Sequence, residues 1–178
     1  DKFKRENGLN YKPSQIIVSC GGKHSCYNVI LATCQEGDEV IIPAPYWLSY
    51  PEMVKLAGAR PVIIETTDKT EFKLTPAQLR AAITPRTRLL VLNSPSNPCG
   101  TMYTPDDLRA LGKVVAEASR TIAPDLLVLS DEIYEKIVYG GIEHFSIGSM
   151  SEIAERVITI NGLSKSHSMT GWRIGYTG

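Results

Sequence analysis

Leu126-Leu127-Val128-Leu129-Ser130-Asp131-Glu132-Ile133-Tyr134 is the stretch that decides the fold. Four apolar residues run without a break and end on a serine and an aspartate. A strand with one wet face alternates apolar and polar side chains, whereas a parallel strand covered on both faces has no need to. The run therefore predicts a buried strand that delivers a carboxylate at its carboxyl end. Residues 16–20, 40–42, 61–64, 89–92 and 157–160 are equally continuous and also read as buried strands. Residues 173–177 make a seventh candidate. It follows the sixth too closely for a long crossover helix, so antiparallel pairing is open to it.

Helical signals lie between the strands. Thr75-Pro76-Ala77-Gln78 offers an N-cap, a proline at the first helical position and a capping-box glutamine. Thr104-Pro105-Asp106-Asp107 starts a helix in the same way, with Leu108, Leu111 and Val115 at helical spacing. Residues 23–35 read as a helix that ends before Gly37-Asp38. Residues 46–56 read as another, with Gly58 just past its end. Pro51 lies inside it and predicts a late start or a kink. There is no internal repeat, low-complexity tract or interdomain linker. Strand–helix alternation predicts an α/β domain over residues 1–178, with helices on both faces of a mostly parallel sheet.

Composition narrows the function classes. The 178 residues suffice for one domain with a real core, and 19 basic against 19 acidic residues leave no net charge. Nothing here points to nucleic acid or an anionic membrane as a partner. No apolar run approaches a membrane span, and Asp1-Lys2-Phe3-Lys4-Arg5 is not a signal peptide, so a cytoplasmic protein is expected. Cys20, Cys26, Cys34 and Cys99 form no Cys-x-x-Cys pair. Cys20, His24 and Cys26 lack a fourth ligand, so the thiols read as reduced and no metal site is expected. The missing initial methionine and the stop soon after Arg173 read as the ends of a piece of a longer protein.

The polar motifs share one location. Gly21-Gly22-Lys23 follows the first strand, Pro45-Tyr46-Trp47 the second and Asn93-Ser94-Pro95-Ser96-Asn97-Pro98 the fourth. Asp131 and Tyr134 follow the fifth, and Lys165 follows the sixth. Open α/β sheets bind ligands outside the carboxyl ends of their strands, so these motifs point to one edge. A Gly-Gly turn can bring backbone amides against a phosphate at a helix N-terminus, or can simply bend the chain. An aspartate after a strand can pair with a protonated ring nitrogen, or can cap a helix. Asn97 can sit in an ordinary Asn-Pro turn, and Trp47 can pack in a core or stack on a ligand ring.

Gly162-Leu163-Ser164-Lys165-Ser166-His167-Ser168-Met169-Thr170-Gly171-Trp172-Arg173-Ile174-Gly175 settles these choices. A lysine among small residues after an apolar run can form a Schiff base with an aldehyde cofactor, and an arginine eight residues on can hold that cofactor's phosphate. The segment resembles the lysine signature of the class I/II, fold-type I aminotransferases, which use pyridoxal 5'-phosphate (PLP). The resemblance extends over nearly the whole chain. It implies the seven-stranded large domain of that family with its last strand antiparallel, and without the N-terminal arm and the smaller C-terminal domain. It makes Lys165 the Schiff-base lysine and Asp131 the partner of the ring nitrogen. Tyr134 and Asn97 become donors to the ring oxygen, and Trp47 stacks on the ring. The Gly22 and Lys23 amides with Arg173 become the phosphate cradle. Catalysis falls to Lys165, Asp131 and Tyr134, while Trp47 and Asn97 also face substrate.

Where the family often has a serine three residues before its lysine, Gly162 stands here, with Ser164 as a partial substitute. Cys99 replaces a threonine in the family's Asn-Pro-Thr-Gly turn. The Lys23 side chain gains no role, Glu132 reads as a structural or solvated neighbour, and Trp172 as packing. His24, His144 and His167 read as ordinary polar residues. The implied reaction moves an amino group between an amino acid, aspartate or another acidic or aromatic one, and a 2-keto acid, in a homodimer. Two other implied readings are a different fold-type I PLP enzyme, such as a carbon–sulfur lyase, and a non-catalytic PLP-binding regulatory domain.

Overall fold

The computed structural model describes residues 1–178. The elements are α1 (Lys2–Asn7), β1 (Ile17–Cys20), α2 (Gly22–Thr33), β2 (Glu39–Ala44), α3 (Ser49–Leu56), β3 (Arg60–Glu65), α4 (Pro76–Ala82), β4 (Thr87–Asn93), α5 (Pro105–Thr121), β5 (Leu127–Asp131), β6 (Val157–Gly162) and β7 (Ile174–Thr177). One seven-stranded sheet has the order β1-β7-β6-β5-β4-β2-β3. β7 is antiparallel to β1 and β6, and the other neighbours pair in parallel. The α/β sheet with an antiparallel last strand is the one expected.

The continuous apolar runs are explained by two cores. Leu90, Leu92 and Val128 point into a cluster with Leu79 of α4 and Leu108, Leu111 and Val115 of α5. Their neighbours Leu89, Val91 and Leu129 point into a second cluster with Cys26, Val29 and Ile30 of α2 and Met53 and Val54 of α3. Alternate residues of one strand thus serve opposite faces, so no position is left for a polar side chain. Each fully buried aliphatic side chain contributes about 1.5–3 kcal/mol.

The caps are as read. Thr75 accepts from the Gln78 amide and Thr104 from the Asp107 amide, both in closed capping boxes with proline in the first turn. Pro51 is accommodated because α3 starts late, at Ser49, which puts the proline in the first turn, where an amide has no intrahelical acceptor. Two strand readings need correction. β1 is an edge strand, not a buried one, with Ile17 60% and Val18 73% exposed. β3 is the opposite edge and only half-buried. An edge strand has a neighbour on one side only, which an apolar run does not reveal. The connection from β5 to β6 carries no α-helix but two 3-10 turns, Ile147–Ser149 and Ala154–Arg156, and Ile147, Met150 and Ile153 join the α5 core. No helix is long and apolar enough to cross a membrane.

Candidate active site

The carboxyl ends of β1, β2, β4, β5 and β6 surround one cavity of about 220 Å³. Its lining includes Gly22, Lys23, Trp47, Asn97, Asp131, Tyr134, Lys165 and Arg173, the residues that the sequence offers as catalytic or cofactor-binding candidates.

Asp131 is the buried charged residue of the lining. It ends β5 and is 5% exposed. Its Oδ2 accepts from the Tyr50 hydroxyl at 2.6 Å and lies 3.7 Å from the Cys26 thiol, and its Oδ1 accepts from the Ile133 amide at 3.2 Å. None of these donors carries a charge. Burial therefore pushes the Asp131 carboxyl above the ordinary carboxylate range, against the pull of the three donors. Burial likewise raises the Tyr50 and Cys26 groups well above their usual values, so they stay protonated donors.

β4 and β5 are in register with Asn93 opposite Asp131. The Asn93 amide donates to the Asp131 carbonyl at 2.9 Å, and its Oδ1 accepts from the Asn97 backbone amide at 2.7 Å. That fixes the Asn97 loop, whose side-chain amide donates to the Tyr134 hydroxyl at 3.4 Å. Trp47 packs edge-on to Tyr50, with ring centroids 5.3 Å apart.

The exposed rim is cationic. Lys165 lies in the turn after β6, its Nζ 5.7 Å from the Tyr134 ring centroid. The Lys23 ammonium stands 5.0 Å from the Trp47 ring centroid, a cation–π distance. Arg173 donates to the Thr170 carbonyl at 2.8 Å and to the Cys20 carbonyl at 3.4 Å. This folds the guanidinium over Gly21, whose φ is +88° and where an added Cβ would fall 2.3 Å from Arg173 Nη2. Beside it, the Gly22 and Lys23 amides open α2 and have no intrahelical acceptor. A cationic fork, free amides and a positive helix end converge there, the requirements of an anion site.

Sequence reasoning missed Tyr50, Asn93 and Cys26. Tyr50 had a signal, three residues after Trp47 and so on its side of a helix start. Asn93 had one as well, closing an apolar strand as Asp131 does. Ser164 lines the cavity, whereas Gly162 does not. One side chain differs from its reading. Trp172 is 70% exposed rather than packed. Glu132 takes the structural one of its two readings, buried with Ser130 and Ser146 as donors, and His144 lies against the Ser94 carbonyl as an ordinary polar residue.

An open α/β sheet with an anion cradle, a buried carboxylate and a lysine at one edge places the chain among the α/β folds that bind ligands at the carboxyl ends of their strands. The family model for aminotransferase class I and II matches residues 1–178, and the chain belongs to that family. It is 55% identical over 177 residues to the aspartate aminotransferase of Bacillus subtilis (strain 168), covering 99% of this chain and 44% of that protein. It is 49% identical over 178 residues to the aspartate/prephenate aminotransferase of Nitrosomonas europaea, covering 99% of this chain and 44% of that one. Among solved structures, an aspartate aminotransferase from Rhizobium meliloti superposes with a TM-score of 0.95 at 44% identity, over 99% of this chain and 43% of that one. The Thermus thermophilus aspartate aminotransferase with maleate gives 0.91 at 47% identity, over 99% and 44%. The chain spans less than half the length of these relatives.

Proposed function

We propose that the chain is the cofactor-binding large domain of a PLP-dependent aminotransferase that moves an amino group between aspartate, or a related acidic amino acid, and a 2-keto acid. The observation that carries the reading is the single cavity lined by Lys165, Asp131 and Arg173. The residues fit PLP. Asp131 is a buried carboxylate whose donors are all neutral, and a protonated ring nitrogen would give it the charge it lacks. The Arg173 fork and the amides of Gly22 and Lys23 suit a phosphate.

When bound, PLP supplies an aldehyde carbon that takes up the amino nitrogen and a cationic ring that accepts the electron pair left on the substrate α-carbon. Lys165 would hold the group through Nζ, and the same nitrogen would serve to carry the substrate α-proton. Asp131 would keep the ring nitrogen protonated, Tyr134 and Asn97 would donate to the ring oxygen, and Trp47 would cover a ring face. Lys23 is the remaining rim cation, and its ammonium suits the second carboxylate of an acidic substrate. The Thermus relative solved with maleate, a dicarboxylate, is consistent with this choice.

The activity is read as that of a homodimer. Lys165 and Arg173 are solvent-exposed in the single chain, and Cys20, Tyr27, Met53 and Leu56 line an open hollow beside Lys23 and Arg173 that a second copy would close.

The test is amino transfer from aspartate to 2-oxoglutarate by the complete protein. Keto-acid-dependent transfer that Lys165→Ala abolishes is expected. Release of ammonia or thiol without a keto acid would identify a lyase, and PLP binding without turnover would identify a regulatory domain.

A further inference from the structure

Beside the cavity floor lies a buried polar cluster that none of these roles uses. Glu132 and Glu135 bracket Ile133 and Tyr134 in the turn after β5, and both carboxyls are buried. The turn is closed by the Glu135 amide donating to the Glu132 carbonyl at 3.0 Å. One side chain reaches both acids. The Asn7 amide, on α1, donates to Glu132 Oε2 at 3.2 Å and to Glu135 Oε2 at 2.6 Å. Lys2 pairs with the other oxygen of Glu135 and donates to Asn7 Oδ1 at 2.8 Å, which orients the amide. Ser130 and Ser146 donate to Glu132 Oε1 at 2.9 and 2.6 Å. His144 Nε2 lies 3.9 Å from Glu132 Oε2 and 3.2 Å from the Ser94 carbonyl oxygen.

Every carboxylate oxygen in the cluster thus has a donor from the protein. Burial pushes the Glu132 carboxyl up to about 8, against its serine donors, and pushes His144 down. The consequence is geometric. Tyr134 sits on a turn gripped at both ends by one amide. Ser94, which His144 holds, begins the loop that carries Asn97. The Tyr134 side of the Asn97–Tyr134 contact is therefore referenced to a cluster anchored on a helix more than a hundred residues away in sequence, and the Asn97 side is held by His144 through the Ser94 carbonyl.

We propose that Asn7 is a positioning residue. By tying Glu132 to Glu135 it sets the Tyr134 hydroxyl against Asn97, and with it the hydrogen bonding offered to the ring oxygen. The inference rests on the reading of the cavity as a PLP site. Donors to the ring oxygen favour its anionic form and lower the pH at which the proton shared by that oxygen and the Lys165 nitrogen is lost. A displaced Tyr134 donates less well, so that pH rises.

The experiment is a pH titration of the visible absorbance of the PLP-loaded complete protein, in wild type, Asn7→Ala, Tyr134→Phe and the double variant. Asn7→Ala is expected to raise the midpoint by about half a pH unit, Tyr134→Phe by more, and the double variant no further than Tyr134→Phe. An unchanged midpoint in Asn7→Ala overturns the proposal. So does a further rise of the same size in the Tyr134→Phe background, because Asn7 would then act through something other than the hydroxyl. If Asn7→Ala does not fold, Asn7→Gln, which keeps the amide but moves it by one methylene, takes its place with the same criteria. A wild type whose absorbance is indifferent to Lys165→Ala would sink the cofactor reading and this inference together. A normal wild type with unshifted Asn7 variants would sink this inference alone.

Discussion

Asp131 shows at the scale of one residue how the site is strained toward a ligand. Its carboxyl is buried among a phenol, a thiol and an amide, and burial raises its pKa. The unfolded chain ionises this group first, so the ligand-free protein loses stability as pH climbs from the unfolded value toward the raised folded one. In urea unfolding of the ligand-free protein, Asp131→Asn is therefore expected to gain on wild type as pH rises above the ordinary carboxyl value of 3.8, and a constant difference would contradict this. With PLP bound the order reverses in function. Asp131→Asn should keep a folded, cofactor-binding protein yet lose most turnover, because stabilisation by the charged ring is worth roughly several kcal/mol. Steady-state transfer rates measure it. Asp131, Lys165 and Arg173 were legible in the sequence because each is a charged residue at the end of an apolar run or inside a dense motif. Tyr50 had only its spacing from Trp47 to mark it, because the fold alone brings its hydroxyl to a carboxylate 81 residues away. Trp172 was misread because nothing local tells whether a loop indole will be covered.

At the scale of elements, capping and close approach decide what can change. Thr75→Ala and Thr104→Ala each remove a hydroxyl that accepts from a helix amide, and each is expected to cost about 1 kcal/mol in chemical denaturation. β7 passes so close to the β1–α2 turn that a Cβ on Gly175 would lie 2.4 Å from the Gly21 carbonyl carbon. Gly175→Ala is therefore expected to displace the turn that presents Gly22 and Lys23, and to weaken PLP binding in a spectral titration more than it lowers stability. At the start of β2, Glu39 is buried, yet Thr84, Arg60 and Arg86 outweigh the burial and hold it at about 2. A depressed carboxylate stabilises the fold above its unfolded pKa of about 4.5, and that contribution is lost as pH falls through about 2. Glu39→Gln should flatten this acid limb of the stability curve, and an unchanged limb would reject the assignment. Helix starts were legible because Thr-Pro-x-Gln and Thr-Pro-Asp-Asp are local chemistry. The exposure of β1 was not, because an apolar run looks the same at the edge of a sheet as in its middle. Its position follows from pairing with β7, 157 residues further on, as the Ser19–Gly175 and Val18–Tyr176 register records.

Over the whole molecule, one topological fact organises the chemistry. Parallel strands end on the same side, so turns far apart in sequence meet at one edge without any direct signal between them. This is why many of the residues that line the cavity could be listed from the sequence while their distances could not. It also places the rim cations in solvent in the single chain, where closure by the rest of the protein and by a second copy is proposed. The isolated 178-residue chain is accordingly expected to bind PLP more weakly than the complete protein and to transfer amino groups far more slowly, since substrate orientation can supply roughly 7–11 kcal/mol of barrier reduction. Rates measured side by side decide this.

The central claim, that these turns form one PLP site built on Lys165, has a more direct test. The protein is mixed with PLP, reduced with borohydride, digested and mapped by mass spectrometry. The account predicts one pyridoxyl group, on the peptide that contains Lys165, and none at the same level in Lys165→Ala. A pyridoxyl group spread over surface lysines such as Lys23 and Lys136, or undiminished in Lys165→Ala, would contradict it.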